Sequence, residues 1–539
     1  MTSVSAIGRS KLWQRINMRD VAMLGVLLVV IVVNSFARDN FASTTTVGFL
    51  LLDVIPIMML ALPMTFIIIS AEIDLSVASI VGVSAATIGA LVLREENMLV
   101  AAFAGVGVGI LAGAFNGLLV AYLGLPSLAA TIGTLALYRG LALVIIGDAS
   151  VGSFPESWTD FVQTRIGDTG IPIPTIAVLI FIALAVMMLH YHPFGRGLFA
   201  LGHSPEAARF VGVKVEHAKF WLFVASGFVA GLVGLYWALR YGSARSDSAS
   251  GLELTVIAAV LLGGVSIFGG RGSIPGVVIA VLLVATITYG FRLQRISDVV
   301  LVIITGALLI ASVVAPNYYQ RIRERWRLIT RAKDSPTSES ENMAWRSQGI
   351  PIKKGKRMSV LTTDQRAPWR RLLSALALGA SAAVVLAGCA AGSTEEADPA
   401  PAEDTETSAP AEALSITYIP KNLNNPYTGV QLTGGEEAAA DLGMTYLAVG
   451  ALDAAADSQV PFIQTEVQNG TDIIVLAAND PNAVCSALDE ARDGGAKIIT
   501  FDSDAECRDI FINQVEEEEV ALGQLRQLFD QIVGTGEIA

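Results

Sequence analysis

Charge is scarce in this chain, and cysteine and histidine are scarcer. Only 16% of the 539 residues are Asp, Glu, Lys or Arg, which is low for a soluble protein. There are three cysteines, Cys389, Cys485 and Cys507, all in the last third of the sequence. The four histidines, His190, His192, His203 and His217, fall within one stretch with no cysteine nearby. Their spacing fits no usual metal motif, so solvated loop histidines are expected and no metal or cofactor. No Gly-x-x-x-x-Gly-Lys-Ser/Thr loop occurs anywhere, so the chain is not expected to hydrolyse ATP or to be an enzyme. GGRGSIPG at 269–276 is glycine-rich but lacks the lysine and the strand-to-helix setting. No basic patch interleaved with aromatics points to nucleic acid.

What is present is apolar. Hydrophobic residues make up 53% and mean hydropathy is +0.57, so the class is a membrane protein. The net charge of −13 averages two unlike halves. Basic residues flank apolar runs, while acids gather after residue 394. Spans are expected near 21–37, 47–70, 73–93, 98–122, 127–147, 172–191, 218–240, 252–268, 274–291 and 296–315. The run 252–268 is short for a full crossing. Arg9, Lys11, Arg15 and Arg19 place the N-terminus inside. Counting crossings then puts 192–217 inside, together with the basic run Arg321 to Lys333. Arg292 and Arg295 fall outside, against the trend.

His192 to Lys214 is a polar interruption of about twenty residues. Gly195, Arg196 and Gly197 open it, Leu198 to Leu201 reads as a short apolar turn, and Gly202 to Pro205 breaks the chain. Ser204 suits an N-cap, Pro205 the first helical position, and Glu206 the positive helix end. A short helix over Glu206–Phe210, closed by Gly212, follows. The stretch reads either as a plain joint between spans or as a docking element. Gly195-Arg196, Ala200-x-Gly202, Glu206-Ala207-Ala208 and Gly212-Val213 resemble the coupling loop of ribose-type bacterial ABC sugar-importer permeases. The resemblance implies that Gly195, Arg196, Gly202, Glu206, Ala207 and Gly212 meet a separate cytosolic ATPase.

Glu72 and Asp74, in SAEIDLSVAS, sit between two apolar runs. Intramembrane acids are candidates for a translocation path, although Asp74 or Ser76 could simply cap the next helix. The stretch resembles that family's IDLSVGS signature, with Ala78 where glycine is usual. Asn116-Gly117 with PSLAATIGTLALYRG (126–140), and ELTVIAAVLLGGVSIFGGRGSIPG (253–276), resemble two further family stretches. The glycines of the last allow close helix approach or a broken span. Together the matches cover nearly all of 20–315. They imply a permease dimer, of identical or related copies, with Glu72, Asp74 and Asn116 as possible path residues.

Residues 331–357 form a polar linker. Met358 then opens a signal-like segment, 358–388, with Arg366, Arg370 and Arg371 before an apolar run at 372–386. Leu386-Ala387-Gly388-Cys389 resembles a lipoprotein signal box, which implies lipid attachment at Cys389; an eleventh span is the alternative. A methionine heading such a segment, behind Lys353-Lys354-Gly355-Lys356-Arg357, suggests two adjacent reading frames joined as one. The acidic, Pro- and Ala-rich stretch 389–413 reads as a disordered tether.

From Leu414 strands and helices alternate. Strands are expected at 414–419, 444–449, 472–477, 497–501 and 511–513, with helices at 429–442, 457–469, 482–493 and 516–533. That pattern is a parallel doubly wound sheet, whose ligands bind at the carboxyl ends of the strands. Lys421 and Asp502 fall there. The region resembles periplasmic sugar-binding proteins of the autoinducer-2/rhamnose branch, through Ile419-Pro420-Lys421, Asp480-Pro481-Asn482 and Phe501-Asp502-Ser503-Asp504. The resemblance implies that Lys421 and Asp502 contact ligand; a surface lysine and a turn-capping aspartate are the plainer alternative. Ala539 lies about one lobe in, so a complete cleft is not expected. Cys485 and Cys507 fall in neighbouring βα units, which favours a disulfide in an oxidising compartment.

The fold class expected is therefore an α-helical polytopic membrane protein of about ten spans, followed by a truncated α/β binding-protein lobe. Residues 1–330 would be the permease in a bacterial plasma membrane and 414–539 the first lobe, on the outer face. The implied partners are an ABC ATPase subunit, a second permease copy, a complete extracytoplasmic sugar-binding protein and the lipid bilayer. An ion-coupled secondary transporter would need ionisable groups inside the bundle, where only Glu72 and Asp74 come close. A tethered receptor would need a whole cleft and a signalling domain.

Overall fold

A computed structural model describes residues 18–294, scattered residues between 300 and 310, and 414–513, with short breaks at 38, 148–149, 153, 424–425 and 452–453. Cys389, the signal-like segment, the tether, the expected span at 296–315 and the helix at 516–533 lie outside the described residues, entirely or nearly so.

The first part is all helix. In chain order it contains α1 (Met18–Ala37), α2 (Thr44–Ile69), α3 (Val77–Val92), α4 (Met98–Gly117), α5 (Ser127–Ile146), α6 (Glu156–Gln163) and α7 (Pro174–Val186). Then follow α8 (Pro193–His203), α9 (Pro205–Phe210), α10 (Val215–Arg240), α11 (Leu252–Leu262) and α12 (Ile274–Leu293). Seven helices among the described residues are long and apolar enough to cross a membrane; Val77–Val92 and Leu252–Leu262 are apolar but shorter. Nine of the ten expected runs thus become helices, and the full count is not fixed by them.

The bundle centres on α10, which packs on α3 and α4. Its crossing with α4 is backbone on backbone. A Cβ on Gly227 would lie 2.2 Å from the Gly109 carbonyl oxygen, and one on Gly113 would lie 2.4 Å from the Phe223 oxygen. Two Gly-x-x-x-Gly pairs, Gly109/Gly113 and Gly227/Gly231, therefore face each other, the small-residue packing that works where lipid supplies no hydrophobic drive. Side chains such as Phe103, Val144 and Leu179, on α4, α5 and α7, point away from the bundle and are at least 60% exposed. Apolar faces of that extent are surfaces for lipid or for another protein.

The second part is a five-stranded, wholly parallel sheet. Its strands are β1 (Ser415–Ile419), β2 (Thr445–Ala448), β3 (Ile473–Leu476), β4 (Lys497–Phe501) and β5 (Ile510–Ile512). The order is β2-β1-β3-β4-β5. The helices between them are α13 (Pro426–Asp441), α14 (Ala456–Asn469) and α15 (Cys485–Asp493). Right-handed crossovers put α13 on one face and α14 with α15 on the other. The order reverses at β1 and β3, so the crevice at the carboxyl ends of these two strands is the natural ligand position.

The α14–α15 face lies against the bundle, at the end opposite α9. Trp237 Nε1 donates to the Asp457 carboxylate at 2.9 Å, and Arg165 pairs with Glu490 at 2.6 Å. Thr46 donates to Gln468 at 2.9 Å, and Ser486 to Gln163 at 2.7 Å. Tyr241 of the helical part joins the same apolar cluster as Ile463, Val460 and Leu488 of the lobe.

Candidate functional site

The loop between α7 and α10 differs from its expected form in one respect. Leu198 to Leu201 is not a separate turn and Gly202-His203 do not break the chain; α8 runs without interruption from Pro193 to His203. The glycines serve close packing. A Cβ on Gly195 would lie 2.0 Å from the Leu189 oxygen, and one on Gly202 1.9 Å from the Ile69 oxygen. The break comes at Ser204, whose hydroxyl accepts the Ala207 N–H at 3.2 Å as an N-cap, with Pro205 at the first position of α9. Gly212 then turns the chain at φ +86°. Glu206, Ala207 and Arg196 are exposed. At the tip Phe210 is 93% exposed and Val211 74%, a pair of apolar side chains that water alone should not favour. Arg209 pairs with Glu216 at the base of α10.

The Gly202 contact joins this loop to the start of the α2–α3 break. Gly270 N–H donates to the Ile69 oxygen at 2.9 Å, and Gly269 lies against Ala71 and Gly202. Ala71 itself sits at φ +64°, a left-handed conformation that costs a non-glycine residue about 1 kcal/mol or more. Just beyond, Glu72 pairs with Lys219 of α10. Glu72 thus belongs to the joint between this loop and the bundle.

Asp74 is wholly buried. It accepts the Ser76 N–H at 3.0 Å, the Ser76 hydroxyl at 2.6 Å and the Ser226 hydroxyl of α10 at 3.3 Å. Asn116 of α4 donates to Ser76 Oγ at 2.7 Å, and Tyr138 of α5 lies 3.1 Å from Asn116 Oδ1. Part of the capping alternative holds: Asp74, not Ser76, satisfies the N–H ahead of α3. The same carboxylate also bonds α10 through Ser226, and Asn116 and Tyr138 join α4 and α5 to the turn through the Ser76 hydroxyl. Asp74 and Asn116 are brought together, but within packed helices and not on an open face.

Sequence reasoning missed the ionisable cluster at the lobe end of the bundle. Asp53 lies inside the apolar run of α2, yet Arg240 and Arg292 each reach its carboxylate at 3.3 Å. Arg292, the residue that broke the inside-positive trend, is held by that acid. The signal was a lone aspartate in an apolar run. Glu72 and Asp74 are therefore not the only ionisable groups within the bundle.

In the lobe, the Lys421 ammonium and the Asp502 carboxylate meet at 3.8 Å across the strand ends. Asp502 stands at φ +68°, which turns the chain sharply out of β4. Two residues that composition does not single out hold this end in shape. Gln459 donates to the Pro420 and Ala477 carbonyls at 3.0 and 2.8 Å. Asn479 donates to the Lys421 carbonyl at 2.9 Å. Asp480 accepts the Asn482 and Ala483 N–H groups at 2.9 and 2.7 Å, and also bonds Ser150. Cys485 and Cys507 are joined as a disulfide with Cα atoms 5.3 Å apart. Among the described residues no cluster of His, Cys, Asp and Glu could hold a metal ion.

Residues 46–313 match the family model described as branched-chain amino acid transport system / permease component, and residues 416–539 match a periplasmic binding protein domain. An autoinducer 2 import system permease protein LsrD from Klebsiella pneumoniae is 33% identical over 315 residues, covering 57% of this chain and 94% of that protein. Its counterpart from Enterobacter sp. is 35% identical over 268 residues, or 49% and 81%. Among solved structures, a sugar ABC transporter from Actinomyces odontolyticus is 54% identical over 23% of this chain, with a TM-score of 0.22. LsrB from Clostridium saccharobutylicum in complex with AI-2 is 28% identical over 23%, with a TM-score of 0.23. The chain spans 40% and 39% of the length of those two structures. It therefore belongs to the family of multi-pass membrane permease components that includes the autoinducer 2 import permeases, and it carries a periplasmic-binding-protein domain after its permease region.

Proposed function

We propose that residues 1–330 are the permease subunit of an ATP-driven importer for a small sugar of the rhamnose, ribose or autoinducer-2 kind. Residues 414–539 supply the first lobe of a sugar-binding protein on the outer face. One observation carries the reading: the two ends of the bundle are equipped for different partners. One end projects α9, capped by Ser204 and tipped by exposed Phe210 and Val211. An apolar tip on a short, braced helix suits insertion into a groove of a separate ATPase. The other end holds a lobe whose Lys421 and Asp502 face each other at the strand ends, where hydroxyl groups of a sugar can bond both.

In this scheme the ATPase supplies the energy, and the permease, paired with a second copy, alternates between two states open to opposite faces. A complete binding protein delivers the substrate. Cys389 anchors the lobe to lipid if the segment before it is cut.

The test is reconstitution of the full chain in liposomes with a partner ABC ATPase supplied separately. Stimulated ATP hydrolysis, with uptake of labelled ribose, rhamnose or autoinducer-2, is expected. Uptake that ignores ATP and follows an ion gradient would sink the reading.

A further inference from the structure

A cavity of about 220 Å³ opens within the bundle, between α2, α10, α11 and α12, directly against the lobe. Trp237, Tyr241 and Tyr289 form aromatic walls, and Asp53 and Arg292 supply the charged groups. Thr255 and Thr288 add hydroxyls, and Pro461 of the lobe closes the top. We propose that this cavity is a transfer subsite for a small, neutral, polyhydroxylated ligand. The proposal rests on the import reading above.

Size comes first. The volume equals that of about seven waters and lies below the range of drug-sized pockets. A single monosaccharide-sized ring suits it; a disaccharide does not. The lining comes second. Flat aromatic faces take up the C–H faces of a sugar ring. The Trp237 and Tyr289 edges are tied to Asp457 and Gln468 of the lobe, so the walls are held in place.

The hydrogen-bond account of the charged groups is incomplete. Arg240 and Arg292 share the Asp53 carboxylate, and Arg240 also reaches Gln464 of the lobe at 3.3 Å. Yet Nε of both arginines is buried with no partner, and the Arg240 side chain is only 2% exposed. Buried donors are almost always satisfied, and an unsatisfied one costs about 1–3 kcal/mol. Of the two, only Arg292 lines the cavity, and a ligand hydroxyl is an acceptor small enough to reach its Nε. Charge decides the ligand class. Two guanidiniums face one carboxylate of the bundle, and Asp457 of the lobe lies at the Trp237 edge, so the docked mouth carries little net charge. That favours a neutral ligand over an anionic one.

The experiment measures equilibrium binding of labelled ribose, rhamnose and autoinducer-2 to the full chain in lipid nanodiscs. The parent is compared with a Lys421→Ala/Asp502→Ala variant, which disables the lobe site. In that background Thr288→Phe fills the cavity and Thr288→Ser leaves it open; size-exclusion profile and melting temperature report folding. The expected result is a weaker second class of site for one of the three probes in the lobe variant. Thr288→Phe should lower its affinity about ten-fold or more, while Thr288→Ser keeps it. If the parent binds a probe and the lobe variant binds none, there is no subsite, although the import reading stands. Unchanged binding in folded Thr288→Phe overturns the location. If the parent binds none of the three probes, the subsite is refuted, while the import reading, in which a complete binding protein delivers the substrate, is judged by the uptake assay.

Discussion

The Lys421 ammonium lies 3.8 Å from the Asp502 carboxylate, and Asp502 holds its backbone at φ +68°. The residue is therefore in a conformation that glycine would adopt more easily. Asp502→Gly should leave lobe stability within about 1 kcal/mol of the parent, because relief of backbone strain offsets the lost surface pair. The weak sugar binding open to a single lobe should vanish in the same variant. Denaturant melts and calorimetry on one preparation separate the two effects; binding that survives shows the carboxylate to be a turn residue only.

Glu206 is exposed on α9. Glu206→Lys should insert and fold normally, yet abolish both transport and stimulation of the partner ATPase. Phe210→Asp should do the same, since the tip side chain is 93% exposed and contributes little to the fold. A variant that transports like the parent refutes the coupling role of α9.

The α4–α10 crossing leaves no room for side chains. Gly227→Leu drives a side chain into backbone 2.2–2.8 Å away, and overpacking of this kind costs about 3 kcal/mol or more when neither backbone can move. No monodisperse protein should be recovered in detergent. Gly133→Ala, where nothing lies within 4 Å of the new carbon, should behave as the parent. Equal yields of the two would mean that the helices do not cross there.

The Cys485–Cys507 bridge closes a separation of 22 residues, worth about 3 kcal/mol in the chain-entropy model. Reduction should lower the lobe's unfolding midpoint and leave the helical part's melt unchanged. Mass spectrometry of unreduced exported protein should find neither thiol free.

Asp509 accepts the Ile498 N–H at 2.9 Å and pairs with Arg492 at 3.3 Å. The backbone N–H, ahead of the arginine, holds its carboxyl below the usual aspartate range. A depressed carboxyl stabilises the fold above its unfolded pKa, about 3.9, and that contribution fades as pH falls through the lower folded value. Asp509→Asn should thus destabilise the lobe at neutral pH and flatten the acid limb of its stability curve. A parallel acid limb in the two proteins would remove Asp509 from the account.

Local chemistry was legible in the sequence wherever a residue type has one strong reason to be where it is. Ser204-Pro205 begins a helix, and Lys497–Phe501 is a strand with the expected ends. The alternation after Leu414 gave the parallel sheet, and with it the meeting of Lys421 and Asp502. Glycine misled, because it has two uses. Gly202 read as the start of the break, yet α8 continues through it to His203, and the Ile69 carbonyl fills the place of a side chain there. The Asp53–Arg240–Arg292 cluster was hidden for a different reason. Each charge stands alone in its own apolar run, and only the fold brings the three together.

The glycine crossing of α4 and α10 bears on how force travels through the molecule. Side chains at a helix contact can change rotamer and absorb a push; carbonyls resting on α-carbons cannot. The two helices must therefore turn as one stiff shaft. Its foot is gripped by Glu72 through Lys219 and by Arg209 through Glu216, and its head carries Trp237 and Arg240 beneath the lobe. A small tilt imposed at one end of such a shaft is carried to the other end and not absorbed between them.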